Sequence, residues 1–281
     1  MSTPMPPAVS DARSADFSFG EVLRETRGAR KLSQLDLAVE AGISQRHLSF
    51  LESGRARPSR GMVLQLAESL ELPLRNRNRL LVAAGFAPVF PQRPLDSEAM
   101  APVRQALERL LAHHEPYPAL VMDRSWNVLM TNRAFDRLGA LQGDPEQMWR
   151  RVCGDGPRNM LKLTFHPQGL RPLISNMAEV GSHLLARARL EALEEPSVAK
   201  LLDEILAYPD TPLRWKTAEP ASHPPPVLPA QMRLGDVRLN LFTMLSTFGT
   251  PQDITTDSLR VEHLFPADAE SEALLKRLAG M

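Results

Sequence analysis

A glycine between two short amphipathic segments is the feature that most constrains how this chain folds. In LSQLDLAVEAGISQRHLSFLESGRARPS, Ser33 can cap a helix that runs from Gln34 to about residue 41. Gly42 can end that helix, because glycine adopts the left-handed conformation without a Cβ clash. A second helix then runs from Ile43-Ser44 to Glu52. The spacing predicts two helices that cross at a tight turn, with a small residue, Ala38, at their contact.

The two predicted helices have distinct faces. Four apolar residues are predicted to face a core: Leu37, Ile43, Leu48 and Leu51. The outer face of the second helix is polar, with Phe50 beside it: Ser44, Gln45, Arg46, His47 and Ser49. Such a helix fits the major groove of DNA, where its N-terminal end meets base edges. An ordinary helical hairpin with a solvated face is the alternative, and the joint pattern favours DNA binding.

Over residues 19–87 this segment resembles the lambda/434-repressor-like (XRE family) DNA-binding domain, a five-helix all-α fold. The resemblance implies a semi-buried ion pair between Arg27 and Glu52 and, as is usual for the motif, a homodimer on a near-palindromic operator. Phe50 departs from the family, in which a polar reader is common, and can touch a thymine methyl group. The implied DNA contacts are Gln34, Arg55 and Arg57 to phosphates, Ser44, Gln45, Arg46 and Phe50 to base edges, and His47 and Ser49 at the groove rim.

Charge is unevenly spread along the 281 residues, which leave room for about two domains. Between Phe17 and Phe90 there are 11 Lys/Arg against 7 Asp/Glu, whereas the remainder holds 22 against 26. This split fits a phosphate-facing domain joined to a mildly acidic one. The predicted organisation is a disordered tail over 1–16, a DNA-binding domain over 17–87, a linker over 88–100 and a second domain over 101–281.

The second domain is predicted to be α+β with an antiparallel sheet. Apolar runs flank Asp123-Arg124-Ser125, and period-two alternation surrounds Gly235-Asp236, so both places predict hairpins. Asn132 can cap the helix after the first hairpin. Further predictions are helices over 101–114, from about 158, and over 170–192, 197–207 and 268–279, a strand over 258–264, and loops over 141–156 and 209–230.

Residues 100–266 resemble the MmyB-like ligand-binding domain, a PAS-like fold. The resemblance is carried by DRSWNVL at 123–129, RNMLKLTF at 158–165 with His166-Pro167, and more weakly by 209–230 around Trp215. It implies a small-molecule sensor whose ligand is a long-chain fatty acid. Leu- and Met-rich helices on a sheet are compatible with an elongated apolar pocket.

A fatty-acid carboxylate would need a cation and amide donors, and the candidates are Arg158, Asn159 and Asn132. Structural roles compete with this interpretation. Arg158 can pair with an acidic neighbour, and Asn132 can serve only as a helix cap. Trp126 is expected in the core, and packing alone would explain the methionines: Met122, Met130, Met160, Met177 and Met244.

The sequence favours a regulator over an enzyme. It has no G-x-S-x-G, P-loop, G-x-G-x-x-G or H-x-x-x-H pattern, and Cys153, the single cysteine, has no identifiable partner base. We expect no catalytic residue, metal or cofactor, with a fatty acid as the ligand. No membrane span or signal peptide is recognisable, so a cytoplasmic location is expected. The alternative to a sensor is a C-terminal domain that only dimerises or binds a protein partner.

Overall fold

The structure is a computed structural model and describes residues 18–217 and 226–281. It divides into two compact units. The first runs to Gln92 and includes Gln252–Ile254, and the second comprises Arg93–Pro251 and Thr255–Met281. The predicted tail over 1–16 lies outside the described residues. The division falls inside the predicted linker over 88–100.

The described part of the first unit is helical, as predicted. Its helices are α1 (Phe19–Ala29), α2 (Gln34–Glu40), α3 (Gln45–Glu52), α4 (Arg60–Ser69) and α5 (Leu74–Ala83). A serine caps each of the first four by accepting a first-turn N–H: Ser18, Ser33, Ser44 and Ser59. Leucines from all five helices are fully buried in one core: Leu23, Leu37, Leu48, Leu51, Leu66, Leu80 and Leu81.

Helix α1 lies unusually close to the end of α3. A Cβ added at Gly20 would lie 2.5 Å from the carbonyl oxygen of Glu52 and 2.8 Å from that of Leu51. A Cβ carbon does not approach a backbone oxygen this closely, so the helix crossing depends on the absence of a side chain at Gly20.

The second unit contains a five-stranded antiparallel sheet, which confirms the predicted α+β class. The strands are β1 (Ala119–Met122), β2 (Val128–Thr131), β3 (Ala230–Leu234), β4 (Val237–Ser246) and β5 (Arg260–Pro266), in the order β2-β1-β5-β4-β3. Both predicted hairpins are confirmed, and Gly235 in the β3–β4 turn has the left-handed φ of 63°. The C-terminal strand β5 lies between the two hairpins and joins them into one sheet.

Nine helices surround this sheet in the described ranges 93–217 and 226–281. They are α6 (Ala101–His113), α7 (Arg133–Ala140), α8 (Pro145–Cys153), α9 (Met160–Phe165), α10 (Met177–Ala192), α11 (Pro196–Leu206), α12 (Leu213–Thr217), α13 (Ile254–Ser258) and α14 (Ala269–Leu278). Helix α6 packs on one face of β1 and β5. The opposite face meets the larger core, which includes α9, α10 and α11. No described helix is long and apolar enough to cross a membrane.

Three element predictions were wrong. The predicted loop over 141–156 contains α8, which begins with the cap Asp144 and Pro145, two residues that also suit loops. The predicted helix over 170–192 starts at Met177, because a 3-10 turn around Pro172 precedes it. The predicted loop over 209–230 includes α12, and its residues 218–225 lie outside the described part of the chain.

Candidate functional site

The predicted turn between α2 and α3 is confirmed. Gly42 has a φ of 62°, and the next amide, that of Ile43, donates to the carbonyl of Ala38 at 2.9 Å. Helix α3 begins at Gln45 rather than at Ile43, because Ser44 accepts a hydrogen bond from the His47 amide and caps the helix. The four predicted core residues pack inward, although Ile43 is only partly buried.

The polar face of α3 points away from the core of its unit. Ser44, Gln45 and Arg46 are exposed, whereas His47, Ser49 and Phe50 are half-buried. The Arg46 guanidinium lies 5.3 Å from the centroid of the Phe50 ring. This cation–π contact restrains the arginine on the helix surface while leaving its donors free. An arginine held this way can meet the O6 and N7 acceptors of guanine.

Exposed arginines extend this surface beyond α3. Arg55 and Arg57 are exposed in the loop after α3, and the backbone amide of Arg55 donates to the carbonyl of Phe50 at 2.9 Å. Arg60, at the start of α4, is also exposed, although it was not among the predicted DNA contacts. Its position directly after the cap Ser59 could have indicated a phosphate contact from the sequence, because the first turn of a helix binds phosphates.

The buried carboxylate of Glu52 in α3 forms hydrogen bonds with side chains of α1 and α2. Glu52, 3% exposed, accepts two bonds from Arg27, at 2.6 and 3.1 Å, which confirms the predicted ion pair. It also accepts the Gln34 amide at 2.7 Å. Burial favours a higher pKa, but the bonds from Arg27 and Gln34 outweigh it and hold the pKa of Glu52 below its usual value. The Gln34 amide thus joins α2 to α3, and its phosphate contact stays a prediction.

In the second unit, a cavity of about 380 Å³ lies against the inner face of the sheet. Its volume falls within the ~300–1,000 Å³ typical of small-molecule pockets. The lining is mostly apolar and comes from β2, β3, β4, β5 and from α7 to α9. Its large apolar residues are Val128, Phe135, Leu138, Met148, Trp149, Met160, Leu163, Leu170, Met232, Leu234, Leu241 and Leu264.

The lining also includes three charged side chains, those of Arg158, Glu146 and Asp136. Arg158 forms an ion pair with Glu146, and its guanidinium lies 5.9 Å from the Trp149 ring centroid. Asp136 accepts a hydrogen bond from the Thr131 hydroxyl at 2.8 Å. Arg158 therefore lines the cavity, as a ligand contact must. It also pairs with an acidic neighbour, Glu146, which was the competing structural interpretation. Glu146 and Asp136 were missed, because nothing in their sequence spacing relates them to Arg158.

Asn132 and Asn159 are placed differently from Arg158, because neither lines the cavity. Asn132 is 5% exposed; it accepts from the amides of Ala119 and Phe135 and donates to the carbonyls of Leu111 and Tyr117. Asn159 caps α9 and donates to the Ser125 carbonyl and the Asn127 side chain. Backbone and side-chain partners already satisfy both amides, so of the three predicted ligand contacts Arg158 alone lines the cavity.

Of the remaining predicted residues of the second unit, Trp126, Met122 and Met177 are buried as expected, whereas Met244 is not. Trp126 is 3% exposed and donates to Glu191 at 2.7 Å. Met160 lines the cavity, Met122 and Met177 are buried in the core, Met130 is partly buried and Met244 is exposed. Burial raises the pKa of the Cys153 thiol, which makes it a poor nucleophile at neutral pH.

Comparison with known proteins matches both units. A family described as MmyB-like transcription regulator ligand binding domain matches residues 103–278, and a helix-turn-helix family matches residues 23–75. The uncharacterized HTH-type transcriptional regulator RghRB of Bacillus subtilis is 36% identical over 104 residues, 37% of this chain and 66% of the relative. An uncharacterized HTH-type transcriptional regulator of Mycobacterium tuberculosis is 40% identical over 67 residues, 24% of this chain and 26% of the relative.

A third relative is the HTH-type transcriptional repressor RghR of Bacillus subtilis, which is 33% identical over 116 residues, 40% of this chain and 79% of the relative. The matches thus cover about two thirds of the first relative and about a quarter of the mycobacterial one. The matched families and relatives are those of transcription regulators and not of enzymes, in agreement with the sequence analysis.

Proposed function

The chain belongs to the MmyB-like transcription regulator family, and from this premise we propose that it is a sequence-specific DNA-binding regulator controlled by a small hydrophobic ligand. The first unit binds an operator through α3, and the second unit holds the ligand in its apolar cavity. Because its relatives are regulators of bacteria, in which DNA lies in the cytoplasm, we propose a cytoplasmic location. The exposed polar face of α3, directly after a glycine-hinged turn, is the observation that carries the DNA-binding proposal.

We assign base reading to the exposed N-terminal end of α3 and its neighbours, and phosphate contact to the flanking residues. Base edges meet Ser44, Gln45, Arg46 and Phe50, the groove rim meets His47 and Ser49, and phosphates meet Gln34, Arg55 and Arg57. The Arg46–Phe50 contact supports this assignment because it presents the guanidinium at the helix surface. A phosphate role for Arg55 and Arg57 predicts binding that weakens steeply with salt.

The proposed ligand is a single-chain amphiphile, and a fatty acid is the class that the family resemblance implies. Its chain would lie among the leucines and methionines of the cavity, where methionine adapts to a flexible chain. Its polar head would lie near Arg158. The protein would exist in one arrangement that binds the operator and one that does not. The ligand can shift the equilibrium between them only by the difference in its own affinity for the two arrangements.

Native mass spectrometry of freshly purified full-length protein, followed by a DNA gel-shift titration with and without myristate, tests this proposal. We expect a co-purifying mass of lipid size and an operator affinity that changes when delipidated protein is given myristate. A clean apo mass together with DNA binding that myristate does not alter would contradict the sensor function.

The alternative is that the second unit serves only to dimerise. One observation favours it: the outer face of β4 and β5 carries Phe242 stacked on Phe265 at 5.4 Å, beside Met244, which is 57% exposed. A second copy of the chain would cover this apolar strip, and a homodimer would match a palindromic operator. Sedimentation of wild type and Met244→Asp tests whether this face dimerises, since a dimer built on it dissociates in the variant. Such a dimer together with a clean apo mass would favour this alternative over the sensor.

A further inference from the structure

The tryptophans of the second unit differ in what their indole N–H groups contact. Trp126 donates to the Glu191 carboxylate at 2.7 Å, and Trp215 donates to the Ala178 carbonyl at 3.4 Å. Trp149, in α8, has no acceptor for its N–H among the described residues. Because a buried indole N–H usually has a hydrogen-bond partner, a donor without a protein acceptor is typical of a position that contacts a ligand or water.

Trp149 is both buried and next to the cavity. The residue is 7% exposed and lines the cavity together with Met148 and Leu163. Its indole nitrogen is not sealed by protein, since the Ser97 hydroxyl is the one fully enclosed side-chain polar atom without a partner in the described part of the chain. The small open surface that Trp149 keeps therefore includes its N–H group.

A second donor lies beside this indole. The Arg158 guanidinium lies 5.9 Å from the centroid of the Trp149 ring and lines the same cavity. A guanidinium has five N–H donors, and the ion pair with Glu146 uses one on a single nitrogen, Nη2. Glu146 is 67% exposed, so water screens its charge and the remaining donors of Arg158 can meet another acceptor. The two side chains thus present several N–H donors to one part of the cavity.

The fold holds both donors in place. Trp149 packs against Val152 and Leu163 in a small core of its own. The carbonyl of Arg158 accepts the amide of Val128 in β2 at 2.8 Å, which fixes the backbone of the arginine against the sheet. Donors that are fixed before binding lose less conformational entropy when a ligand arrives.

We infer that Trp149 is a head-group contact of this cavity: its indole N–H and the Arg158 guanidinium together donate to the carboxylate of a single-chain amphiphile. Both groups only donate, so they select a head group that accepts hydrogen bonds and discriminate against an ammonium group. Trp149 thus takes the role for which the sequence offered Asn132 and Asn159. This inference rests on the proposed function, because it concerns the ligand of the same cavity.

The indole N–H resonances test this contact. Isotopically labelled, delipidated full-length protein is titrated with myristate below its micelle concentration, and the three indole peaks are assigned with Trp126→Phe, Trp149→Phe and Trp215→Phe. We expect the Trp149 peak to move downfield, because a hydrogen bond to a carboxylate deshields the proton. The other two indoles already have protein acceptors and should move less. Any two of the variants complete the assignment, so the measurement stands if one does not fold.

Calorimetry measures what the N–H contributes to binding. Trp149→Phe keeps an aromatic ring but no donor, so myristate should bind about tenfold more weakly, as the loss of a hydrogen bond to a charged group gives. Tetradecylammonium has the same chain length and a head group that only donates, so wild type should bind it more weakly than myristate, and Trp149→Phe should not weaken it further. Trp215→Phe is the matched control, because Trp215 does not line the cavity, and it should keep the wild-type affinity for myristate.

The possible outcomes separate this inference from the proposed function. An unmoved Trp149 peak at saturating myristate, or equal affinity of wild type and Trp149→Phe for myristate, would contradict the head-group contact while the sensor proposal stands. Tighter binding of tetradecylammonium than of myristate would do the same. If neither probe binds to the wild type, the inference and the proposed ligand class are both wrong.

Discussion

The stability of the DNA-binding unit depends in part on the negative charge of one side chain, Glu52. It is buried, and its two oxygens hold Arg27 on α1 and Gln34 on α2. Because an uncompensated buried charge is costly, removing one partner of such a pair costs about 3–5 kcal/mol. These contacts therefore link α1, α2 and α3 in addition to the leucine core that the helices share.

Glu52→Gln should lower the free energy of unfolding of the first unit by about 3 kcal/mol at neutral pH, since Arg27 is left with no anionic partner. The three tryptophans of the chain all lie in the second unit, so their fluorescence reports that unit in a urea titration, while circular dichroism reports total helix. We expect a helical loss that precedes the fluorescence change. Glu40→Gln, on the exposed surface of α2, is the control.

The pH dependence of the same unit follows from the lowered pKa of Glu52. A group whose pKa is lower in the folded than in the unfolded state contributes stability above its unfolded value, here 4.5, and loses it as pH falls through the folded value. Stability should therefore decline below about pH 4.5, and Glu52→Gln should flatten that decline. An unaltered acid profile in the variant would contradict this role.

Arg46 is the residue on which base reading most depends. Arg46→Ala should cost about 1–3 kcal/mol of discrimination between the operator and unrelated DNA, because the bidentate contact to guanine is lost. Arg57→Ala should instead weaken binding to both DNAs and reduce the salt dependence. Competitive gel shifts at two salt concentrations measure both effects. An equal loss on both DNAs in Arg46→Ala would move Arg46 to the phosphate contacts.

Among the structural elements, the turns could be predicted from the sequence more reliably than the first residues of the helices. Gly42 and Gly235 marked their turns because both have a positive φ that other residues rarely adopt. Helix α8 was missed because its cap Asp144 and Pro145 suit a loop equally well, and its burial against Leu163 depends on tertiary packing. Local sequence encodes where the chain must turn, but packing decides whether a short polar segment becomes a helix.

The approach of α1 to α3 gives a prediction at the same scale. Gly20→Ala should destabilise the first unit by about 1–3 kcal/mol, because its Cβ would overlap the Glu52 carbonyl. Gly28→Ala on the same helix meets nothing within 4 Å, so it should stabilise by about 0.5–1 kcal/mol through helix propensity. Urea titrations of the two variants compare these effects directly, and equal behaviour would show that the close crossing is unimportant.

Across the whole molecule, the two sites differ in how much the sequence could predict. The surface on α3 comes from one contiguous segment, so the spacing around Gly42 predicted it. The cavity is lined by residues as distant as Val128 and Leu264, which only the five-stranded sheet brings together. Of the predicted ligand contacts, Arg158 lines the cavity. Asn132 and Asn159 instead cap helices, each by accepting a hydrogen bond from a first-turn amide.

The proposed regulator should bind DNA as a salt-dependent homodimer, because the stretch between Phe17 and Phe90 has an excess of basic over acidic residues and a palindromic site needs two copies of α3. A gel-shift series in increasing salt, combined with the stoichiometry of the complex, measures both properties. One protein per duplex on the selected site would contradict the dimer.

Selection from a library of random-sequence DNA duplexes tests the central claim most directly. Full-length wild-type protein and a Gln45→Ala/Arg46→Ala variant are used in parallel. The account predicts that the wild type enriches one near-palindromic sequence with half-sites about one helical turn apart, and that the variant does not. A wild-type selection with no enriched sequence, or the same enriched sequence from the variant, would contradict DNA reading by α3.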